Sequence, residues 1–243
     1  VVVSGISYLS YLLKRYVFHE SGTLVSGIIG GLYSSTATIS VLARKSRKAS
    51  EQEATDYVAA MLLAVSMMFL RFMILILIFS REIFLSIYPY LLTMAVVAAI
   101  VAWFIHSRQK RPEDQSAETE EDDSSNPLEF KVALIFAVLF VIFTFLTHYT
   151  LVYAGTGGLN LLSFVSGFSD ITPFILNLLQ NTGSVAALII TACSMQAIIS
   201  NIMVNMFYAL FFAGKGSKLR PWILGGFGVV IVCNLVLLLF FYI

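Results

Sequence analysis

The sequence predicts an all-α fold: a polytopic transmembrane helical bundle of about eight spans, built as two four-helix repeats in parallel orientation. Three observations predict it. Hydrophobic residues make up 58% of the 243-residue chain and charged residues only 12%, whereas a soluble domain carries about 25% charged residues. Apolar stretches of about 18 residues or more recur along the whole length, each able to cross roughly 30 Å of hydrocarbon as a helix. The net charge of +1 hides a segregation, because nearly all charges fall between those stretches. That is the pattern of loops, not of a nucleic-acid surface, and a mean hydropathy of +0.88 agrees.

In order, the expected spans are 1–18, 23–43, 55–79, 83–106, 131–153, 159–180, 184–213 and 220–243. The first opens on Val1 and lacks a basic segment followed by a small-residue cleavage site, so an upstream segment is expected. The longest polar interruption, 108–129, holds Arg108-Gln109-Lys110-Arg111, an acidic run from Glu118 to Asp123, and Asn126-Pro127. It reads as a solvated linker. The chain then divides into a first four-span repeat at 1–107, the charged linker at 108–129 and a second four-span repeat at 130–243.

The repeats are suggested by a gapless alignment of 22–39 over 158–175, in which Gly22, Gly31, Thr36 and Ile39 meet Gly158, Gly167, Thr172 and Ile175. Pro89 and Pro221 are expected to open the fourth span of each half. An even number of spans per half gives both copies the same orientation. The Lys and Arg bias between the two sides slightly favours cytoplasmic ends.

The second span of each half carries most of the polarity. Gly30, Gly31, Ser34, Ser35, Thr36 and Thr38 fall in one, and Ser166, Gly167, Ser169, Asp170, Thr172 and Pro173 in the other. Glycines and small hydroxyls serve close helix packing, which suits Gly22, Ser26, Gly27, Gly30 and Gly31. Ser34, Ser35 and Thr36 are consecutive and point around a helix, so a single packing face does not explain them. A broken helix survives in hydrocarbon only where it is buried in protein or lines a wet cavity.

Asp170 is the sharpest signal, since every other acidic residue falls in a loop or at a span end. An intramembrane carboxylate costs at least about 2.5 kcal/mol on insertion scales and needs a partner. Arg71 is the expected one, either as a structural pair or as part of a solute or proton site. In span seven Gln196, Ser200, Asn201 and Asn205 follow helical spacing, as interhelical glue or as solute ligands. The expected solute-binding set is Ser34, Ser35, Thr36, Thr38, Arg71, Asp170, Thr172, Asn201 and Asn205.

Other candidates read more plainly. His148 is an interfacial residue, and Tyr8, Tyr11, Tyr88, Tyr90, Trp103, Tyr149, Tyr153, Trp222 and Tyr242 form an aromatic belt. Cys193 and Cys233 sit in apolar runs and imply no disulfide framework. No nucleotide-binding loop, paired-cysteine motif, histidine-rich cluster or nucleophile elbow occurs. Neither an enzyme nor a cofactor is expected, and a metal is left open.

Gly30-Gly31-Leu32-Tyr33-Ser34-Ser35-Thr36-Ala37-Thr38, with Leu42-Ala43-Arg44, Phe69-Leu70-Arg71 and Asn126-Pro127-Leu128-Glu129-Phe130-Lys131, carries a resemblance over essentially the whole chain. It resembles the uncharacterised polytopic domain found C-terminal to MgtC/SapB-type domains in bacterial membrane proteins. The resemblance implies a bacterial inner-membrane location, an N-terminal MgtC-like domain as partner, and a link to divalent-cation (Mg) homeostasis. Two departures weaken a two-carboxylate cation site: Thr172 stands where a second acid is usual, and Asn205 where a basic residue is frequent. The expected function is a transporter or channel for a small ion or polar solute; the alternative is a membrane-embedded regulatory module without transport. Expected partners are the bilayer, that solute and, as an option, further copies of the chain in a homo-oligomer, with no nucleic acid.

Overall fold

The computed structural model describes residues 22–47, 49, 51–108, 130–180, 185–214 and 217–242. Within them lie seven helices and no strand: α1 (Thr23–Lys45), α2 (Glu51–Phe79), α3 (Arg81–Ser107), α4 (Phe130–Ser166), α5 (Ile171–Gln180), α6 (Ala187–Ala213) and α7 (Arg220–Tyr242). Six helical stretches are long and apolar enough to cross a membrane, at Thr23–Lys45, Thr55–Phe79, Arg81–Ser107, Val138–Gly155, Ala187–Ala213 and Arg220–Phe240. They fall on six of the spans expected from sequence. The expected span at 159–180 is instead two short apolar helices, Gly157–Ser166 and Ile171–Gln180. The expected first span at 1–18, with Tyr8 and Tyr11, lies outside the described residues, as does the linker from 109 to 129.

Helix boundaries follow local chemistry. Extended Ser80 ends α2 and begins α3, its Oγ accepting from the Ile83 N–H at 3.3 Å, with Glu82 in the first turn where the helix dipole favours an acid. Gly155 interrupts α4 with φ 58 and ψ −149, a left-handed conformation in which a side chain would be strained. Pro89 does not open a helix as expected but lies inside α3, whereas Pro221 stands in the first turn of α7.

Packing places α6 at the centre, where it meets α1, α3, α4, α5 and α7. α1 lies along α2 and α2 along α3, while α7 closes against α3 and α2. The α1–α2 contact is a small-residue face on both sides. A Cβ on Gly27 would collide with the Ala60 backbone, and one on Gly31 would stand 2.5 Å from Ala64 Cα. Residues four apart on each helix thus let the backbones touch, the close approach by which helices associate without a hydrophobic driving force. Elsewhere polar side chains join helices: Ser66 Oγ donates to Ala95 O at 2.8 Å, and the buried Tyr90 hydroxyl donates to Asn234 Oδ1 at 2.5 Å.

Phe69, Phe72, Phe174 and Phe227 are fully enclosed. The outer surface is equally apolar: Tyr153 is 81% exposed, Phe240 75% and Trp103 68%. Such a surface would be an aggregation hazard in water, and it suits hydrocarbon.

A polar cavity between two interrupted spans

Each of two spans breaks near its middle, and both breaks open on one cavity. In α1 the break is Ser34, whose φ of −157 and ψ of 109 are extended rather than helical, with eleven-residue halves on either side at 23–33 and 35–45. Ser34 Oγ accepts from the Ala37 N–H at 3.3 Å and so caps the second half. The other break is the Gly167-Phe168-Ser169-Asp170 segment between α4 and α5. Asp170 Oδ1 accepts from the Thr172 N–H at 3.0 Å, the same capping role with a charged acceptor. Half-helices of about ten residues rise about 15 Å, a length that is about half of a bilayer core of about 30 Å.

Breaking a helix frees carbonyl oxygens, and neighbouring helices supply donors for them. Arg71 of α2 donates through Nη1 to Tyr33 O at 2.7 Å. From α6, Asn201 Nδ2 donates to Gly167 O at 3.2 Å and Ser200 Oγ to Phe164 O at 2.6 Å. Gly167 permits this approach, because a Cβ there would strike the Ser200 side chain and stand 2.7 Å from the Asn201 nitrogen.

The cavity has a volume of about 350 Å³ and is lined by Ser34, Ser35, Thr36, Arg71, Gly167, Ser169, Asp170, Asn201 and Tyr208, with Ala37, Phe168, Ile171 and Val204 completing the wall. The Asp170 side chain is exposed to this space. Arg71 and Asp170 are within electrostatic reach of each other. They make no direct ion pair, so the structural-pair alternative is not the geometry seen: the hydrogen-bond partner of Arg71 is a backbone carbonyl, and its Nε is buried with no partner. His106 and Asp56 pair at 2.6 Å, between the last turn of α3 and the first part of α2.

Of the nine residues expected to bind solute, Ser34, Ser35, Thr36, Arg71, Asp170 and Asn201 line the cavity. Thr38, Thr172 and Asn205 do not. The Thr38 side chain fills the space beside Gly30, and Thr172 is buried behind Asp170 and offers it a backbone amide. Asn205 is fully buried; its Nδ2 donates to Asn201 Oδ1 at 3.1 Å, so it holds a lining residue. Ser169, part of the polar cluster but outside the expected binding set, and Tyr208 also line the cavity. Helical spacing carried a signal for the second, since 201, 204 and 208 share one face of α6. His148 is exposed and stacks edge-on with Tyr149 at 5.9 Å, while Cys193 and Cys233 are free thiols. Among the described residues no three His, Cys, Asp or Glu side chains gather as a metal cluster.

The fold and cavity define a multi-pass helical membrane protein with two interrupted spans facing one polar space. The chain belongs to the family described as Domain of unknown function (DUF4010), whose model matches residues 1–213. It is also similar to an uncharacterized protein of Aquifex aeolicus (strain VF5), 25% identical over 227 residues that cover 91% of this chain and 96% of the relative. No solved structure matches it.

Proposed function

We propose that the chain moves a small ion or polar solute across a membrane, binding it in the cavity between Ser34 and Asp170. The observation that carries this reading is the exposed Asp170 carboxylate at a mid-span break, not directly paired with Arg71. An intramembrane acid is costly unless it serves a site. Broken helices around a central pocket are a means by which transporters expose half-helix ends to a solute. A regulatory module without transport would be better served by a dry interior in which Arg71 neutralises Asp170.

Two parallel repeats supply a mechanism. One constant offset pairs Gly31 with Gly167, Ser34 with Asp170 and Ala64 with Ser200. The Gly31–Ala64 and Gly167–Ser200 contacts therefore correspond, as do the two caps. Repeats that rock against each other around a fixed site give alternating access. The role is non-enzymatic, with bilayer and solute as partners. Location in a bacterial inner membrane and attachment to an MgtC-like domain rest on the family resemblance. A link to divalent cations rests on it too, and one carboxylate among hydroxyls would hold such an ion mainly through its waters.

Flux in proteoliposomes loaded with KCl, MgCl₂ or glycine tests the reading. Wild type should move at least one of these, and Asp170→Asn should reduce that flux by about tenfold, equivalent to about 1.4 kcal/mol. Equal flux through wild type, Asp170→Asn and Arg71→Gln removes this cavity as the pathway.

A further inference from the structure

We infer that the solute held in this cavity is a small zwitterion, with its anionic group at the α1 break and its cationic group at Asp170; this rests on the solute-site reading above. The two breaks are built alike but differ in electrical character. On the α1 side the cap is the neutral Ser34, and Ser35 and Thr36 follow it into the cavity wall. First-turn amides lack intrahelical acceptors, and the positive end of the half-helix is not offset by an acid there. Arg71 adds a guanidinium to the same side; Nη1 is held by Tyr33 O, and Nε is buried without a partner. This side is rich in donors and carries positive charge.

The α5 side is the reverse. Its cap is a carboxylate, only Oδ1 of which accepts from a backbone amide, and the side chain faces the cavity. The acid offsets the positive end of its own helix. Pro173 in that first turn has no N–H to offer. What remains for a ligand is a negative charge.

A lone cation bound at Asp170 would share the cavity with Arg71, and a lone anion at Arg71 would share it with Asp170. Like charges that close together in a partly enclosed space repel. A solute with both signs meets an opposite charge at each end. Arg71 and Asp170 line one space within electrostatic reach but without a direct ion pair, which leaves room for a ligand group at each. A volume of about 350 Å³ lies at the small end of ligand sites, which suits an amino-acid-sized molecule.

The test uses the full chain, purified in detergent, and reads thermal stability against glycine, L-alanine, β-alanine and 4-aminobutyrate, which vary the charge separation. Propionate, ethylamine and MgCl₂ at matched ionic strength are the single-sign comparisons. The expected result is stabilisation by at least one zwitterion at concentrations where no single-sign probe acts. Asp170→Asn and Arg71→Gln should each raise the apparent Kd at least tenfold, with Arg71→Lys giving partial recovery in a protein of unchanged helix content. Stabilisation by propionate, ethylamine or Mg²⁺ at least as strong as by any zwitterion overturns the inference. So does a zwitterion response indifferent to both substitutions, or no response to any zwitterion.

The same probes in proteoliposomes separate this inference from the transport reading. Zwitterion binding without flux removes transport and leaves the ligand class standing. Flux of Mg²⁺ alone, lost in Asp170→Asn, retains transport and removes the zwitterion.

Discussion

Ser34 and Asp170 face one cavity, and each caps the half-helix that follows it, one with a hydroxyl and one with a carboxylate. The shared role makes both breaks part of one architecture. The different chemistry makes the cavity between them electrically two-sided.

Ser34→Ala removes the acceptor for the Ala37 amide while leaving the charge of the cavity unchanged. Loss of a cap costs about 0.5–2 kcal/mol. Reversible unfolding in mixed micelles should show a loss in that range, and a Ser34→Asp variant should restore the cap while adding a second acid to the site. Restored stability with weakened zwitterion binding is the expected outcome for the second variant.

Gly31→Ala and Gly167→Ala place a methyl group against the Ala64 backbone and against Ser200 with Asn201. Overpacking of this kind costs about 1–3 kcal/mol. Gly228→Ala is the control, since its Cβ would meet nothing within 4 Å, and alanine gains up to about 1 kcal/mol over glycine in a helix. Unfolding midpoints should fall for the first two and hold or rise for the third.

Tyr90→Phe breaks the α3–α7 hydrogen bond and leaves Asn234 Oδ1 without that donor. Interhelical hydrogen bonds in membranes average about 0.6 kcal/mol and reach about 1.7. The variant should lose stability within that range and keep wild-type solute affinity, because neither residue lines the cavity.

Asn205→Leu removes the amide that holds Asn201, although Asn205 itself does not reach the cavity. The expected effect is weaker solute binding with little change in helix content, measured by ligand-dependent thermal shift and circular dichroism. Unchanged binding would confine Asn205 to helix packing.

The spans were legible because hydropathy and charge segregation act over about twenty residues, and 55–79 coincides with the apolar stretch Thr55–Phe79 of α2. Both breaks were legible as polarity where lipid offers no use for it. What could not be read was how that polarity is shared out. Asp170 and Arg71 looked like a pair because opposite charges in hydrocarbon attract, yet a broken helix also exposes carbonyls, and Tyr33 O takes the Arg71 donor. Thr38 and Thr172 resembled lining residues because composition does not say which side of a break a hydroxyl faces. Pro89 looked like a helix start because proline favours first turns, but α3 begins eight residues earlier, at Arg81, under the Ser80 cap.

Water at the two breaks is what every functional statement above requires, and thiol labelling in membranes measures it. In a background carrying Cys193→Ala and Cys233→Ala, a membrane-impermeant methanethiosulfonate should modify the Thr36→Cys and Ser169→Cys variants. Reaction needs the thiolate and hence a hydrated site, so Val232→Cys, on the lipid-facing surface with Val232 58% exposed, should react on the order of tenfold more slowly or not at all. Glycine or whichever zwitterion binds should protect the first two. Equal resistance of all three positions would mean that the breaks are sealed in a dry interior, and the account of a solute site between Ser34 and Asp170 would be wrong.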